Sequence, residues 1–465
     1  MPIFELRSPL PVSAEEAYAW HLRPGAFERL SPPWEKVRVL RRDGAIEHGG
    51  TVEVSVPIGP LRKRWVAEHF GAVPGREFHD RQVRGPFAKF EHTHRFEPQA
   101  GTASQLLDHI EYELPLGGLG SLVAGRSIRQ KLARMFAYRH RLTQADLAAH
   151  AQYRDREPLR IAVTGASGLV GSATAAFLST GGHQVTKLMR AGKKSRDTSG
   201  IPTAEWNSES GEIGIPGEQF PQAIVHLAGE NIAGGRWSAR VKERIKNSRV
   251  IATRKLCERF ARQPHRPQVL VCASAIGYYG DRGNELLTEE SAAGVGFLAD
   301  VCREWEEATR PAIEAGIRVV NLRFGMIVTP AGGALAKMLP PFQFGGGGIV
   351  GSGRQWWSWL TLDDAVGVIH HALLTESLRG PVNAVAPETL SNYDFTKTLG
   401  RVLRRPTIVP LPAFAARLVL GEMANDLLLC SARVVPEKLM ATGYAFRFPT
   451  LEVGLRHILG RVPAF

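Results

Sequence analysis

The sequence predicts an α/β protein: a doubly wound parallel sheet preceded by a separate α+β domain. Three observations carry this. Ile161–Gly171 (Ile-Ala-Val-Thr-Gly-Ala-Ser-Gly-Leu-Val-Gly) reads as a short buried strand, a glycine turn and a helix start. After it, predicted strands at Gln184–Arg190, from Ala223, at Val269–Ala275 and at Arg318–Phe324 alternate with helical patterns. Before it, residues 1–150 hold a strand, two short helices, a long run of strands and a closing helix.

At 465 residues the chain is too long for one ordinary domain. No apolar run is long enough to cross a bilayer. Met1–Trp20 carries Glu5, Arg7, Glu15 and Glu16 where a secretory segment needs an unbroken apolar run, so the expectation is a cytoplasmic protein. Cys257, Cys272, Cys302 and Cys430 have no metal-ligand spacing and read as reduced thiols. The net charge of +13 raises nucleic acid as a partner. The densest basic segment, Arg236–Lys255, instead reads as an amphipathic helix with Val241, Ile245 and Val250 inward. It lacks the interleaved aromatics that stack bases, so no nucleic-acid partner is expected.

Along residues 1–150, Phe4–Arg7 reads as a strand, and Ser13 followed by Glu16 as a capping box opening a helix to Trp20. Arg23–Leu30 reads as a second helix, stopped by Ser31-Pro-Pro. Thr51–Val56, Arg64–Phe70, Phe87–Phe96 and Gln105–Leu114 are predicted strands. The closing helix runs to about His150, with Leu122, Ile128, Leu132, Met135, Phe136 and Leu142 inward. His92 and His94 share one face of a strand. With no third ligand placed, they read as pocket lining or polar surface, and no metal is expected. Ala151–Pro158 reads as a linker, and residues 159–411 as the dinucleotide domain.

In that domain glycine allows a sharp turn and close approach to a ligand, and the helix from Leu169 points its free N–H groups at it. A pyrophosphate cradle follows. NAD-selective sites end the second strand on Asp or Glu. Here Arg190 stands there, with Lys193, Lys194 and Arg196 beyond, which suits the 2′-phosphate of NADP. The turn at Ala228-Gly229 leaves room for a cofactor to pass. Gln355, Trp356 and Trp359 read as walls of a substrate pocket, and Gly345–Gly348 as a mobile loop over it. Residues 412–465 read as a small helical domain, with helices at Pro412–Leu429, Val434–Leu439 and Leu451–Leu459.

Two resemblances sharpen this. The first 145 residues or so, and Val83–Phe96 in particular, resemble the helix-grip (START-like, SRPBCC) superfamily, which implies an apolar ligand cavity. Thr164–Gly171 resembles the nucleotide fingerprint of extended short-chain dehydrogenases/reductases, a Rossmann fold. His226–Trp237, Ser274–Asp281, Phe297–Glu306, Ala334–Phe342, Gly351–Trp359 and Val382–Pro387 are similar to one atypical subfamily of nucleoside-diphosphate-sugar epimerases, which also implies a C-terminal domain of unknown function. The resemblance implies cofactor contacts from Gly165, Ser167, Gly168, Leu169, Val170, Gly171, Met189, Arg190, Leu227, Ala228 and Arg249.

The sequence departs from the superfamily at the catalytic pair. Active members join a Ser or Thr to Tyr-x-x-x-Lys, whose lysine lowers the tyrosine pKa. Ser274 matches the serine, but Phe297 and Val301 stand at or near the tyrosine and lysine positions. Tyr278 is then the candidate proton donor. Two readings stay open: an NADP-dependent oxidoreductase or epimerase acting on a small-molecule carbonyl or alcohol, or a non-catalytic NADP-binding sensor. The substrate and the oligomeric state do not follow from the sequence.

Overall fold

In the computed structural model, which describes residues 1–59, 61–115, 117–192 and 197–462, alternation along the first strands builds a curled antiparallel sheet. Its elements are β1 (Ile3–Leu10), α1 (Ala14–Leu22), α2 (Ala26–Leu30), β2 (Arg38–Asp43), β3 (Thr51–Ile58), β4 (Leu61–Val73), β5 (Glu77–Arg84), β6 (Lys89–Pro98), β7 (Ser104–Glu113) and α3 (Gly117–Ala151). The strand order is β1-β7-β6-β5-β4-β3-β2. On β6 the period of two buries Phe90, His92, His94 and Phe96 on one face. Ser13 caps α1, its hydroxyl accepting from the Glu16 N–H at 3.3 Å. The second helix starts at Ala26, not Arg23, because Pro24 pushes Arg23 to extended backbone (ψ 143°).

The closing helix α3 buries Leu132, Phe136, His140, Leu142 and Leu147. The expected inward Leu122 is instead 84% exposed, and Val123 with it. The helix of 35 residues is about 52 Å long, and the inward packing begins beyond these two residues, with Ala124 and Ile128.

The dinucleotide region runs through β8 (Arg160–Thr164), α4 (Leu169–Thr180), β9 (Gln184–Arg190), β10 (Thr203–Trp206), β11 (Ala223–His226), α5 (Ala239–Ala261) and β12 (Val269–Ala275). It continues through β13 (Leu286–Leu287), α6 (Phe297–Glu307), α7 (Arg310–Glu314), β14 (Arg318–Phe324), β15 (Met326–Val328), α8 (Gly333–Gln343), β16 (Trp356–Trp357) and β17 (Trp359–Thr361). Then come α9 (Leu362–Leu374), β18 (Gly380–Ala384), β19 (Leu390–Ser391) and α10 (Asn392–Leu403). The large sheet is parallel throughout, in the order β10-β9-β8-β11-β12-β14-β18. One core packs Phe177 of α4 and Val366 and Ile369 of α9 against one face, and another packs Leu256 and Phe260 of α5 and Trp305 of α6 against the other. This is the predicted doubly wound sheet. On basic α5 the inward side is Ile245, Ala252, Thr253, Leu256, Cys257 and Phe260, while Val241 and Val250 are only half-buried.

The C-terminal segment departs from three plain helices. Gly421 ends α11 (Ala413–Leu420), and a π-helical turn follows at Asn425–Leu429. Arg433–Val434 is a strand, β20, pairing with β13, because Pro436 delays the helix to α12 (Glu437–Ala441). With α13 (Leu451–Ile458), residues Leu439, Leu451, Leu455 and Ile458 join the core that also buries α9. The expected mobile loop is tied down by backbone bonds from Val409 N to Gly347 O and Leu411 N to Ile349 O. All four cysteines are free thiols. No helix among the described residues is long and apolar enough to cross a membrane.

One buried charge cluster fixes the two large units to each other. Arg29 of α2 holds Asp146 of α3 with two bonds of 2.8 Å and lies 3.0 Å from Asp363 of α9. Arg447 reaches the same Asp146 at 2.7 Å. The expected linker is docked too, with the Tyr153 hydroxyl 2.6 Å from His371 Nδ1 and Arg156 paired to Glu376.

Candidate active site

The glycine turn is a cradle that side chains would fill. Gly165 has φ +66°, and a Cβ there would lie 2.6 Å from Leu227 O. A Cβ on Gly171 would lie 2.3 Å from Gly165 O. Only glycine fits either position. The Gly168 N–H closes the turn on Gly165 O at 2.8 Å, but no side chain caps α4, so the N–H groups of its first turn, from Leu169 and Val170, and the positive end of its dipole are left for a ligand. That geometry fits a phosphate anion.

The opposite wall is held by a hydrogen-bond chain. Thr164 donates its hydroxyl to His226 Nδ1 at 2.7 Å and accepts from the Leu227 N–H at 3.1 Å and the Ala228 N–H at 3.3 Å. His226 then donates from Nε2 to Thr253 Oγ1 at 3.0 Å, which also accepts from Trp305 Nε1 at 2.9 Å. Burial pushes the His226 pKa down to about 4, which keeps this tautomer neutral. Arg249 closes the turn from below. It donates to Glu230 O at 3.0 Å, its Cζ stands over the Trp305 ring, and a Cβ on Gly229 would lie 3.2 Å from it.

At the end of β9 Met189 is half-buried and Arg190 exposed. Lys193, Lys194 and Arg196 lie outside the described residues. Leu169, Ser167 and Met189 also line a cleft of about 610 Å³ whose far wall includes Arg29 and Tyr138 of the N-terminal domain. The helix-grip unit therefore stands beside the cradle.

At the carboxyl end of the sheet, parallel register lines up Ser274, Arg323 and Asn383 on three neighbouring strands. Ser274 donates to Glu306 Oε1 of α6 at 2.7 Å. Glu306 is gripped by Arg323 through two bonds of 2.8 Å. Burial opposes the Arg323 charge, and the Glu306 carboxylate more than offsets it, so the guanidinium stays firmly protonated. Arg323 also donates to the Tyr279 hydroxyl at 3.0 Å, and that hydroxyl donates to Asn383 Oδ1 at 2.7 Å. Tyr279 is fully buried, and burial raises its pKa. Tyr278 is half-buried, its ring centroid 3.5 Å from Arg323 Cζ. Phe297 opens α6, with Trp237 against its ring and Lys242 Nζ 5.1 Å from its centroid.

The structure thus brings Ser274, Tyr278 and Tyr279 around one charged pair, Glu306–Arg323, that the sequence reading missed. A signal existed: Arg323 is a charge set between the apolar Leu322 and Phe324 near the end of a core strand. The expected substrate walls need correction. Trp359 is fully buried core, and Gln355 is buried with its amide donating to Val350 O and Leu428 O. Burying that much aromatic area is worth more than lining a wet pocket with it. Trp356 is half-buried, and its Nε1 donates to Asn284 Oδ1.

Comparison with known proteins matches each region. The NAD dependent epimerase/dehydratase family matches residues 161–384, the family of polyketide cyclases, dehydrases and lipid transport proteins matches 10–137, and a domain of unknown function matches 411–458. The epimerase family protein Mb2239 of Mycobacterium bovis is 39% identical over 301 residues, covering 65% of this chain and 98% of that protein. The crystal structure of a nucleoside-diphosphate sugar epimerase from Corynebacterium glutamicum is similar over 99% of this chain and 91% of its own, with TM-score 0.79 and 32% identity. The human epimerase family protein SDR39U1, crystallised with NADPH, is similar over 65% of this chain and 99% of its own, with TM-score 0.60 and 31% identity.

Proposed function

This chain belongs to the NAD dependent epimerase/dehydratase family, and on that premise we propose that it is an NADP(H)-dependent oxidoreductase or epimerase for a carbonyl or alcohol substrate. The observation that carries the reading is the cradle of Gly165 and Gly171, which no side chain can enter, beside an uncapped helix start. The NADPH in the human relative supports the choice of cofactor. Residues 159–411 form the NADP-binding domain in this reading. Gly165, Ser167, Gly168, Leu169, Val170 and Gly171 hold the pyrophosphate. Leu227, Ala228 and Arg249 flank it, and Met189 and Arg190 take the adenosine end, with Arg190 reading the 2′-phosphate. The bound cofactor supplies hydride. Tyr278 passes the proton to the substrate oxygen, its ring held in place over Arg323, and Ser274 orients that oxygen. Residues 1–150 deliver an apolar ligand to the shared cleft, and 412–465 brace the substrate side.

A second reading, an NADP-binding sensor without chemistry, draws support from Phe297 in the tyrosine place and from the Ser274 hydroxyl already given to Glu306. Fluorescence titration with NADPH and NADH tests the shared premise: NADPH binds at least tenfold tighter, and equal or absent binding of both overturns it.

A further inference from the structure

A second cluster of chemistry-bearing side chains lies in the helix-grip domain, on the inner face of its sheet. Antiparallel register sets Asp80 of β5 directly opposite His92 of β6, and Asp108 of β7 directly opposite His94. Because His92 and His94 are two residues apart, all four groups point to the same face. They converge closely. Asp80 Oδ2 lies 3.1 Å from His92 Nδ1 and 3.5 Å from His94 Nε2, and the three ligand atoms fall within 4.8 Å of one another. Ligands at about 2.0–2.1 Å from a tetrahedral ion stand about 3.3 Å apart, so one ion of that size fits between them.

The other nitrogen of each ring is already engaged. His92 donates from Nε2 to Asp108 Oδ1 at 3.1 Å, and His94 Nδ1 lies 2.7 Å from that same oxygen. Asp108 Oδ2 accepts from His140 Nε2 at 2.7 Å, and His140 Nδ1 accepts from the Ser8 hydroxyl at 2.9 Å. One buried carboxylate thus backs both imidazoles and fixes which nitrogen of each faces Asp80. This is how metal-binding histidines are oriented by a group behind them. Phe78 stacks on His94 and Phe136 meets His92 edge-on, which keeps water from solvating the rings.

We propose that Asp80, His92 and His94 bind one divalent first-row transition-metal ion, with Asp108 as the carboxylate that positions both histidines. Imidazole and carboxylate donors select zinc, iron(II) or cobalt(II) over magnesium and calcium. Three protein ligands leave at least one coordination position for water or a ligand oxygen, the arrangement of catalytic rather than structural sites. The site stands apart from the dinucleotide cradle and does not depend on the NADP reading.

The test uses the full chain, without a histidine tag, stripped by chelator and titrated with Co²⁺ and Zn²⁺. Expected are one ion per chain, by calorimetry and elemental analysis, and the visible absorption of low-coordinate cobalt. His92→Ala, His94→Ala and Asp80→Asn each weaken binding at least about 100-fold, and Asp108→Asn weakens it about 10–100-fold. His79, on the opposite face of β5 and hydrogen-bonded to Thr93, is the control, and His79→Ala binds like the parent. Circular dichroism and NADPH titration report whether each variant is folded. The proposal is overturned if the parent binds neither ion, or if folded His92→Ala, His94→Ala and Asp80→Asn variants bind as tightly as the parent.

Discussion

Ser274 and Glu306 meet at 2.7 Å, hydroxyl to carboxylate, on the face where Arg323 and Asn383 complete a cross-strand row. If Ser274 also orients substrate, its removal has two separable effects. Ser274→Ala loses one hydrogen bond to a charged group, about 1.5–3 kcal/mol of stability. It also lowers turnover at least tenfold while NADPH affinity stays within about twofold. Chemical denaturation and cofactor titration read the two apart, and unchanged turnover makes Ser274 purely a brace for Glu306.

Gly171→Ala sets a methyl 2.3 Å from Gly165 O, closer than any real contact. NADPH affinity falls at least about 100-fold, because the turn must open. Ser172→Ala, one residue on and exposed, is the matched control and binds as the parent does. Equilibrium titration of both variants, with circular dichroism to confirm folding, checks this.

Arg190→Ala removes the exposed cation at the end of β9. The ratio of NADH to NADPH dissociation constants drops at least tenfold, through weaker NADPH binding. A ratio unchanged by the substitution ends the assignment of Arg190 to the 2′-phosphate.

Acid acts through buried neutral histidines. Burial holds His150 down to about 3 and His226 down to about 4, against about 6.5 in an unfolded chain. The unfolded state therefore binds protons that the folded state refuses. Their contribution is complete above pH 6.5 and is lost as pH falls to about 4 for His226 and about 3 for His150. His150 packs on Phe177 and His370 where α3 meets the dinucleotide domain. His150→Phe makes the fall in stability between pH 6 and 4 shallower by about 1.4 kcal/mol per pH unit. Urea unfolding across that range measures the slope.

Asp146 accepts from both Arg29 and Arg447 and is fully buried. Asp146→Ala strands the buried Arg447 guanidinium and leaves Arg29 to Asp363 alone, and costs about 3–5 kcal/mol. Limited proteolysis near Ala151–Pro158 then becomes faster, as the two large units loosen.

What the sequence shows and what it hides follow from the range of the forces. The central strands around the cradle are legible because a parallel strand buried on both faces must be a short apolar run, and Ile161–Val163, Ala223–Val225 and Val269–Cys272 are such runs. The cradle is legible because glycine answers a local steric demand. The Asp80–His92–Asp108 contacts are not, because register between strands creates them, and neither is the Glu306–Arg323 pair, because it forms only where α6 packs on β14. Leu122 fails for a related reason: helical periodicity tells which side a residue faces, not whether anything stands there.

The most direct measurement is NADPH oxidation against a panel of apolar and nucleotide-linked carbonyls, with the parent chain and with Tyr278→Phe. The account predicts turnover of at least one carbonyl by the parent, and at least a 100-fold loss in Tyr278→Phe with NADPH affinity unchanged. Tight NADPH binding with no turnover of any carbonyl, or turnover indifferent to Tyr278→Phe, contradicts it.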